Sequence, residues 1–320
     1  MPSAPSVAST RVAGAPQRAV DVEGLRRLRR RQRQWDRKAI GFVAPALLIL
    51  VVFVLYPTLY ALGISFTNAS GFNVPELVGL DNYVRIFTSA DTLRAIGNTL
   101  WYVVLYMPTT IACALAVAML LNRSDLLMRG MMRTVIFVPF IISMAVAALA
   151  WGFIVDPHIG VLPYWLSRVG IHVPDLLSSP TWAMPTVVLV AVWKNFGYFM
   201  VIFLAGLQNV PRELYEAASI DGAGSWRRFL SVTLPGLRPT MTYVVVLVAN
   251  GAFQAFDQIY IMTKGGPMRT TETVVYRVYS EGFTNFKMGE ASALSFILMG
   301  LTLVVGVAQL VVSRRQERDM

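Results

Sequence analysis

Several polar side chains that could bind a solute lie inside long apolar stretches of this sequence. These candidate binding residues are Lys194, Asn195, Tyr198, Asn250 and Gln254. The last two, together with Asp257, are spaced so that a continuous helix would place all three on one face. Aromatic residues adjoin both groups. Amides beside aromatic rings suit a sugar, because its hydroxyls form hydrogen bonds and its C–H faces contact rings.

A purely structural role for these residues stays open at this point. Polar side chains in a bilayer can pair across helices and hold them together. Lys194 adds another alternative, because a cation in a partly dehydrated site could bind a phosphorylated substrate. We expect Asp257 to brace the outer end of its helix, with Lys194 as its candidate partner.

No catalytic motif accompanies these residues. A phosphate-binding P-loop needs a Gly-Lys pair, and the four lysines follow Arg, Trp, Thr and Phe. The sequence holds two histidines, a single cysteine (Cys113), no HExxH zinc motif and no GxSxG elbow. It therefore predicts a protein that is not an enzyme and that has no metal or cofactor site.

The segment 208–239 joins two apolar stretches and has the composition of two short helices. Asn209 can cap the first helix, and Gly222 can end it in a left-handed conformation. A second short helix, Trp226–Val232, should stop before Pro235. We therefore expect a helix–turn–helix that lies outside the bilayer and is joined rigidly to the stretches on either side.

The elements that position these residues are membrane spans. The chain is 55% hydrophobic and 14% charged, whereas soluble domains carry about a quarter of charged residues. Six stretches reach the roughly 20 apolar residues that a bilayer core requires. The predicted spans are Ile40–Phe66, Ile96–Leu121, Thr134–Val155, Trp182–Leu207, Thr240–Thr263 and Gly289–Ser313. The sequence thus predicts an all-α membrane protein with one transmembrane domain over 40–313 and a short end over 314–320.

The distribution of positive charge predicts the orientation in the membrane. Most of the 28 Lys and Arg residues fall in the N-terminal tail, in the connections 122–133 and 208–239, and at the C-terminal end. Since positive connections stay in the cytoplasm, both termini should be cytoplasmic. The tail, residues 1–39, contains the basic run RRLRRRQRQWDRK. We expect it to be disordered and to anchor at the inner leaflet of the bilayer, not to bind nucleic acid.

Segment 208–239 resembles the cytoplasmic EAA loop of bacterial binding-protein-dependent ABC importers. That loop reads EAA, three residues, G, nine residues, I, one residue, LP. The matching residues are Glu216, Ala217, Ala218, Gly222, Val232 in place of isoleucine, Leu234 and Pro235. A second segment, FDQIYIMTKGGP over Phe256–Pro267, is similar to the FDxIYxLTxGGP segment of carbohydrate-type permeases. The six-span plan and the long tail look similar to MalF-like and UgpA-like subunits.

In that family, two permease subunits form the translocation path and two cytoplasmic ATPase subunits each receive one EAA helix. An external solute-binding protein delivers the substrate. The resemblance thus implies the type I ABC importer permease fold, a bacterial inner or plasma membrane, and a heterodimer with a second, related permease. The implied substrate is a sugar or related polyol, and ATP hydrolysis would belong to the separate ATPase subunits.

The resemblance also implies roles for individual residues. Glu216 would anchor the EAA helix to a basic group on the ATPase, and Gly222 would form the turn that lets the helix seat. The implied coupling residues are Glu216, Ala217, Ala218, Asp221, Gly222, Leu234 and Pro235. In the maltose-type permease, substrate contacts come from the fourth span and from the helix after the EAA loop. The resemblance therefore places Tyr198 on a substrate-contacting aromatic, with Lys194 and Asn195 nearby.

Two other classes of function are alternatives. An ion-coupled secondary transporter would use Asp257 and Lys194 as a coupling pair, but no inverted repeat is visible and the loop would stay unexplained. A membrane receptor would need a signalling domain, and only RRQERDM follows the sixth span. Among importers, a permease for glycerol 3-phosphate is the alternative to one for a neutral sugar, since Lys194 could meet a phosphate.

Overall fold

The structure, a computed structural model, describes residues 41–123 and 126–318. Its regular structure there consists of helices and one isolated bridge between Thr67 and Leu77. The chain forms two units, one up to Tyr60 and one from Ala61 onward, and every contact discussed below lies within the second unit. The predicted tail, residues 1–39, lies outside the described residues.

Thirteen helices follow one another along the described residues. They are α1 (Gly41–Ile64), α2 (Asp81–Thr88), α3 (Ala90–Leu121), α4 (Arg129–Ile141), α5 (Met144–Val155), α6 (Val161–Arg168), α7 (Ala183–Gln208), α8 (Arg212–Ile220), α9 (Ser225–Arg228), α10 (Arg238–Phe253), α11 (Asp257–Met262), α12 (Val274–Tyr279) and α13 (Met288–Arg318). A π-helical turn, Phe229–Thr233, and a short α-turn, Leu234–Gly236, continue α9, and a second π-helical turn, Ser280–Thr284, continues α12.

Five helical runs of the described residues are long and apolar enough to cross a bilayer. They are Gly41–Ile64, Ala90–Leu121, Ala183–Gln208, Arg238–Met262 and Met288–Gln309. The first, third, fourth and fifth coincide with predicted spans to within a few residues. The second begins earlier than predicted, because the Ser89 hydroxyl accepts a hydrogen bond from the Thr92 amide and caps the helix there.

The predicted continuous third span, Thr134–Val155, is wrong. The chain breaks between α4 and α5, which are bent by 98° relative to each other. Ile142 and Ser143 at the break have extended backbone angles, with ψ of 141° at both. The two short helices count as one span only if they cross the membrane together as a broken helix.

The core lies where α3, α7 and α10 meet. The contact between α3 and α7 is the most extensive in the described part of the chain. Its buried side chains include Tyr102, Leu121, Met200, Phe203 and Val244. Helix α7 is buried along most of its length, whereas α3 and α13 present much of their apolar surface outward, as helices in contact with lipid do.

Close approach of α4 to α7 depends on Gly197. A Cβ atom at this position would overlap the backbone carbonyl of Ile136, and a backbone atom cannot move aside as a flexible side-chain end can. Small residues at such crossings let two membrane helices pack with their backbones close together. Gly197 therefore fixes the distance between α7 and the first arm of the broken span.

We predict that Gly197→Ala destabilises the protein even though alanine is the better helix former. In an open helical position the change should favour folding by about 1 kcal/mol. Here the overlap with Ile136 should reverse the sign and cost about 1–3 kcal/mol. Thermal unfolding of the purified protein in detergent measures the difference.

Gly300→Ala is the matched control, because a Cβ on Gly300 in α13 meets nothing within 4 Å. G300A should keep or raise the melting temperature, and G197A should lower it. Equal melting temperatures for the two variants would contradict the close approach of α4 to α7.

Candidate functional site

A polar cavity of about 260 Å³ opens beside the break between α10 and α11. Helices α3, α5, α7, α10 and α11 all contribute to its wall. The lining residues are Tyr102, Tyr106, Met144, Lys194, Asn195, Phe199, Leu247, Gly251, Gln254, Ala255, Phe256, Asp257 and Gln258. The cavity therefore combines amides, phenols, one cation and one carboxylate in a bilayer-spanning part of the chain.

The structure brings three of the five predicted binding residues together. Lys194, Asn195 and Gln254 line the cavity. Tyr198 and Asn250 are not among the lining residues. Asn250 contacts the cavity only indirectly, because its Oδ1 accepts a hydrogen bond from Gln254 Nε2 at 2.8 Å.

The predicted shared face of Asn250, Gln254 and Asp257 is wrong because the fifth span is interrupted. Helix α10 ends at Phe253, Phe256 has φ of −134°, and a new helix starts at Asp257. Asp257 therefore does not lie on the same helix as Asn250. Gln254 and Asp257 still reach the same cavity, but from opposite sides of the break.

A segment on the predicted outer side, residues 263–284, holds this break in place. Thr273 Oγ1 donates to the Ala255 carbonyl at 3.3 Å, which satisfies one of the backbone groups that the break leaves without a helical partner. The amide of Val274 donates in turn to Thr99 Oγ1 on α3 at 2.9 Å. The start of α12 thus joins the break to α3.

Two hydrogen bonds, each between an amide and a phenol, lie in the wall of the cavity. Asn195 Nδ2 donates to Tyr106 Oη at 3.0 Å, and Gln258 Nε2 donates to Tyr102 Oη at 2.8 Å. The two tyrosine rings stack at 5.5 Å. The sequence analysis did not name these tyrosines as candidate binding residues. Their spacing of four residues in an apolar helix, which places them on one face, could have indicated them.

Lys194 lines the cavity and also caps a helix. Its Nζ donates to the Phe140 carbonyl at 3.3 Å and lies 5.1 Å from the centre of the Phe140 ring. That carbonyl is in the last turn of α4, where the bend removes its helical partner, and a cation there is favourable. Tyr198 also stacks on the Phe140 ring, at 4.5 Å between ring centres, so it packs against the bend.

The predicted coupling segment contains a helix with an exposed face. Helix α8 begins after Pro211, and Asn209 caps the end of α7, so the predicted N-cap role of Asn209 is wrong. Glu216 and Ala217 are exposed and Ala218 is half-buried. Asp221, also exposed, follows the last residue of α8.

The end of α8 has the hydrogen bonds of a Schellman motif. The Gly222 amide donates to the Ser219 carbonyl at 3.1 Å, and the Ala223 amide donates to the Ala218 carbonyl at 2.9 Å. Gly222 has φ of +73°, the left-handed conformation that glycine adopts without strain.

Pro235 does not stop the second helix as predicted. Helix α9 continues through the π-helical turn into Leu234–Gly236, since the wider turn accommodates a residue without an N–H group. Leu234 and Pro235 line a groove of about 240 Å³ with residues of α10. Tyr215 Oη and Thr233 Oγ1, 3.1 Å apart, connect the two helices of the segment.

The chain matches known proteins over most of its length. Residues 108–318 match the family model described as binding-protein-dependent transport system inner membrane component. The sn-glycerol-3-phosphate transport system permease protein UgpA of Rhizobium meliloti (strain 1021) is 36% identical over 266 residues, which cover 82% of this chain and 89% of that protein. The probable ABC transporter permease protein YurN of Bacillus subtilis (strain 168) is 34% identical, with 84% and 93% covered.

A solved structure has a similar fold. One chain of a bacterial ABC transporter involved in the import of the acidic polysaccharide alginate superposes with a TM-score of 0.77 at 24% identity. The superposition covers 91% of this chain and 99% of that chain. At this level of identity the likeness concerns the arrangement of the helices.

We predict that the Gln258–Tyr102 hydrogen bond contributes to stability as a pair. Gln258→Leu leaves a phenol that is 1% exposed without its donor, and Tyr102→Phe leaves a buried amide without its acceptor. Each single change should cost about 1–3 kcal/mol. The double variant should be less destabilised than the sum, by about 1 kcal/mol, because no unpaired group remains.

Melting temperatures of the four proteins in detergent provide the measurement. Strictly additive losses would contradict a direct hydrogen bond between Gln258 and Tyr102.

Proposed function

Since this chain belongs to the family of binding-protein-dependent transport system inner membrane components, we propose that it is the permease subunit of an ABC importer for a sugar or related polyol. It forms the translocation path with a second, homologous permease subunit. The observation that carries the proposal is the polar cavity at the break between α10 and α11, where Lys194, Asn195 and Gln254 meet Tyr102 and Tyr106. The substrate arrives on an extracytoplasmic solute-binding protein.

The chemistry of the cavity suits a polyhydroxylated substrate. Amides and phenols both donate and accept hydrogen bonds, so they can serve hydroxyls of either orientation. The relatives that support this class are named for sn-glycerol 3-phosphate, and the structural neighbours belong to an alginate importer, one of them in complex with a pentasaccharide-bound periplasmic protein. A neutral sugar and a phosphorylated polyol are therefore the two substrate types to separate.

The surroundings of Lys194 favour a neutral substrate. One of its donors is already used by the Phe140 carbonyl, and Asp257 places a negative charge in the same cavity. A phosphate entering the cavity would meet this carboxylate as well as the ammonium group. A glycerol 3-phosphate permease remains the second candidate, because of the names of its relatives.

We predict that Lys194→Met separates the two substrate types. Uptake of a neutral sugar should change by only a few fold, whereas uptake of glycerol 3-phosphate should fall at least about a hundredfold, because leaving a buried charge unpaired costs about 3–5 kcal/mol. The measurement is uptake into vesicles that contain the whole importer. Lys264→Met, at an exposed position outside the cavity, is the control.

A severe loss of neutral-sugar uptake in K194M, with normal amounts of assembled complex, would contradict the neutral-substrate assignment. The melting temperature of the variant distinguishes that loss from a loss of the α4 cap.

We place six spans in the membrane by counting α4 and α5 as one broken span. Both termini then lie in the cytoplasm, in agreement with the distribution of Lys and Arg. In this arrangement the segment 263–284 is extracytoplasmic and α8 is cytoplasmic. The cavity between them opens to one side of the membrane at a time, because alternating access requires two states of the same spans.

Helix α8 is the proposed docking element for the cytoplasmic ATPase subunits, which hydrolyse ATP in place of this chain. Two such subunits serve the permease pair, and each receives one helix. On this chain the proposed contact is the exposed face with Glu216 and Ala217, next to Ala218 and the turn at Gly222. Asp221, Leu234 and Pro235 flank it. An ion-coupled secondary transporter would have no use for this exposed helix.

We predict that Glu216→Ala and Gly222→Val uncouple the ATPase without changing membrane insertion. Glu216→Ala removes a charge-assisted contact of about 1.5–3 kcal/mol. Gly222→Val forces a β-branched residue into φ of +73° and distorts the end of α8. Copurification of the ATPase and hydrolysis stimulated by the loaded binding protein are the two measurements.

Matched controls lie in the same segment. Glu213→Ala removes an exposed carboxylate one turn earlier on α8, and Gly224→Ala adds a Cβ where nothing lies within 4 Å. Both controls should retain the ATPase. If E216A and G222V also retain it, with normal stimulation, α8 is not the docking element.

A further inference from the structure

A row of aromatic rings leads away from the cavity. This aromatic row consists of Phe256, Tyr260, Tyr276, Tyr279 and Phe283. Phe256 lies 5.4 Å from Tyr260 and 5.2 Å from Tyr279, measured between ring centres, and Tyr279 lies 5.5 Å from Phe283. These distances are within the range of direct ring contact, so the row is continuous.

The two ends of the aromatic row have different surroundings. Phe256 belongs to the cavity lining. Phe283 is 63% exposed and Tyr260 is 39% exposed. The row therefore connects the proposed substrate cavity with the surface of the segment 263–284, which the proposed topology places outside the membrane.

The opposite face of α12 and its π-helical continuation keeps the row in position. Arg277 Nη1 contacts Glu272 Oε1 at 3.0 Å, and Arg277 Nη2 contacts Glu281 Oε1 at 3.2 Å, with all three side chains buried. Tyr279 and Phe283 are four residues apart and point to the other face. A buried, paired charge cluster behind the rings ties their backbone to the rest of the segment.

The glycine-rich part of the segment packs directly on the row. Gly265 has φ of +77°, and a Cβ there would come within 2.8 Å of Cε1 of Tyr276. Glycine at position 265 thus allows the loop to pack directly against the Tyr276 ring. The row is built into the fold and does not consist of independent surface side chains.

We propose that the aromatic row is an entry subsite that binds the face of a sugar ring by stacking before the sugar enters the cavity. This inference rests on the proposed import of a carbohydrate. Ring faces bind the C–H face of a pyranose, while the phenol groups of Tyr260 and Tyr279 offer hydrogen bonds to its hydroxyls.

The two arginines near the row do not favour an anionic ligand. Arg277 is buried and engaged by two carboxylates. Arg269, at the edge of the segment, pairs with Asp91 and Glu272. The exposed surface of the row is therefore aromatic and hydroxylated, which matches a neutral sugar ring.

The test uses the complete importer in vesicles, with its binding protein, and a panel of radiolabelled glucose, maltose, trehalose and glycerol 3-phosphate. Tyr279→Leu and Phe283→Leu each remove one ring of the row. At subsaturating loaded binding protein we expect uptake of the transported sugar to fall about fivefold in each variant, which corresponds to about 1 kcal/mol. Tyr279→Phe keeps the ring and should stay within about twofold of the unchanged protein.

Phe72→Leu is the matched control. Phe72 is 81% exposed and contacts Phe286, which is not a member of the row, at 4.9 Å, so its loss should leave uptake unchanged. Equal uptake by Y279L, F283L and the unchanged importer would overturn the entry subsite while the proposed function stands. Loss of the second permease from the purified Y279L or F283L complex would identify the row as a subunit contact and would also overturn it.

The substrate panel separates the remaining outcomes. Uptake of glycerol 3-phosphate alone would overturn the subsite, because that substrate has no ring face to stack. If the unchanged importer takes up none of the four compounds and its ATPase is not stimulated, the carbohydrate assignment and the subsite fail together.

Discussion

Backbone polar groups inside a bilayer have no water to bind, so every interruption of a spanning helix needs partners from the protein itself. Residues 41–123 and 126–318 contain two such interruptions, between α4 and α5 and between α10 and α11. At the first, the Lys194 ammonium group binds the Phe140 carbonyl. At the second, the Thr273 hydroxyl binds the Ala255 carbonyl. These contacts allow irregular backbone at a depth where a regular helix is otherwise required.

The same interruptions create the candidate site. Gln254 follows the last residue of α10, Asp257 is the first residue of α11, and both line the cavity beside the break. The bend between α4 and α5 exposes the end of α4 to Lys194, which then faces both a helix terminus and the cavity. Lys194 therefore combines a structural role at the end of α4 with a position in the candidate site. Irregular backbone in membrane proteins is tolerated where it is buried or lines a cavity, and both conditions hold.

Support for the site comes from both ends of the membrane domain. Segment 263–284 joins the break to α3 through Thr273, Val274 and Thr99, and its buried ion pairs hold α12. At the other end, α8 is fastened to the following helix by Tyr215 and Thr233, and α7 leads directly into it. A displacement of α8 would thus act on α7, which carries Lys194 and Asn195. Helix α7 thus connects the exposed helix α8 with the cavity.

Local signals in the sequence determined much of this protein. Long apolar runs predicted five of the spans, because a bilayer-spanning helix needs a minimum length and few charges. Glycine at position 222 predicted the left-handed end of α8, since that conformation strains other residues. The motif spacing around Glu216 and Gly222 predicted the family to which the chain belongs. Lys194, Asn195 and Gln254 were recognisable as cavity residues because polar groups are rare in apolar helices.

Only the tertiary structure decided where the helices break and which polar residues share a cavity. Nothing in the sequence Gln254–Phe256 forbids a helix, and the backbone at the break binds Thr273, which lies 18 residues away from Ala255. Tyr198, which the resemblance places on a substrate-contacting aromatic, stacks on Phe140 of another helix. Contacts between α3, α7 and α11 bring three further residues to the site, namely Tyr102, Tyr106 and Gln258. Residue type and spacing determine a helix and its polar positions, but contacts between distant segments determine where the helix stops and what its polar side chains meet.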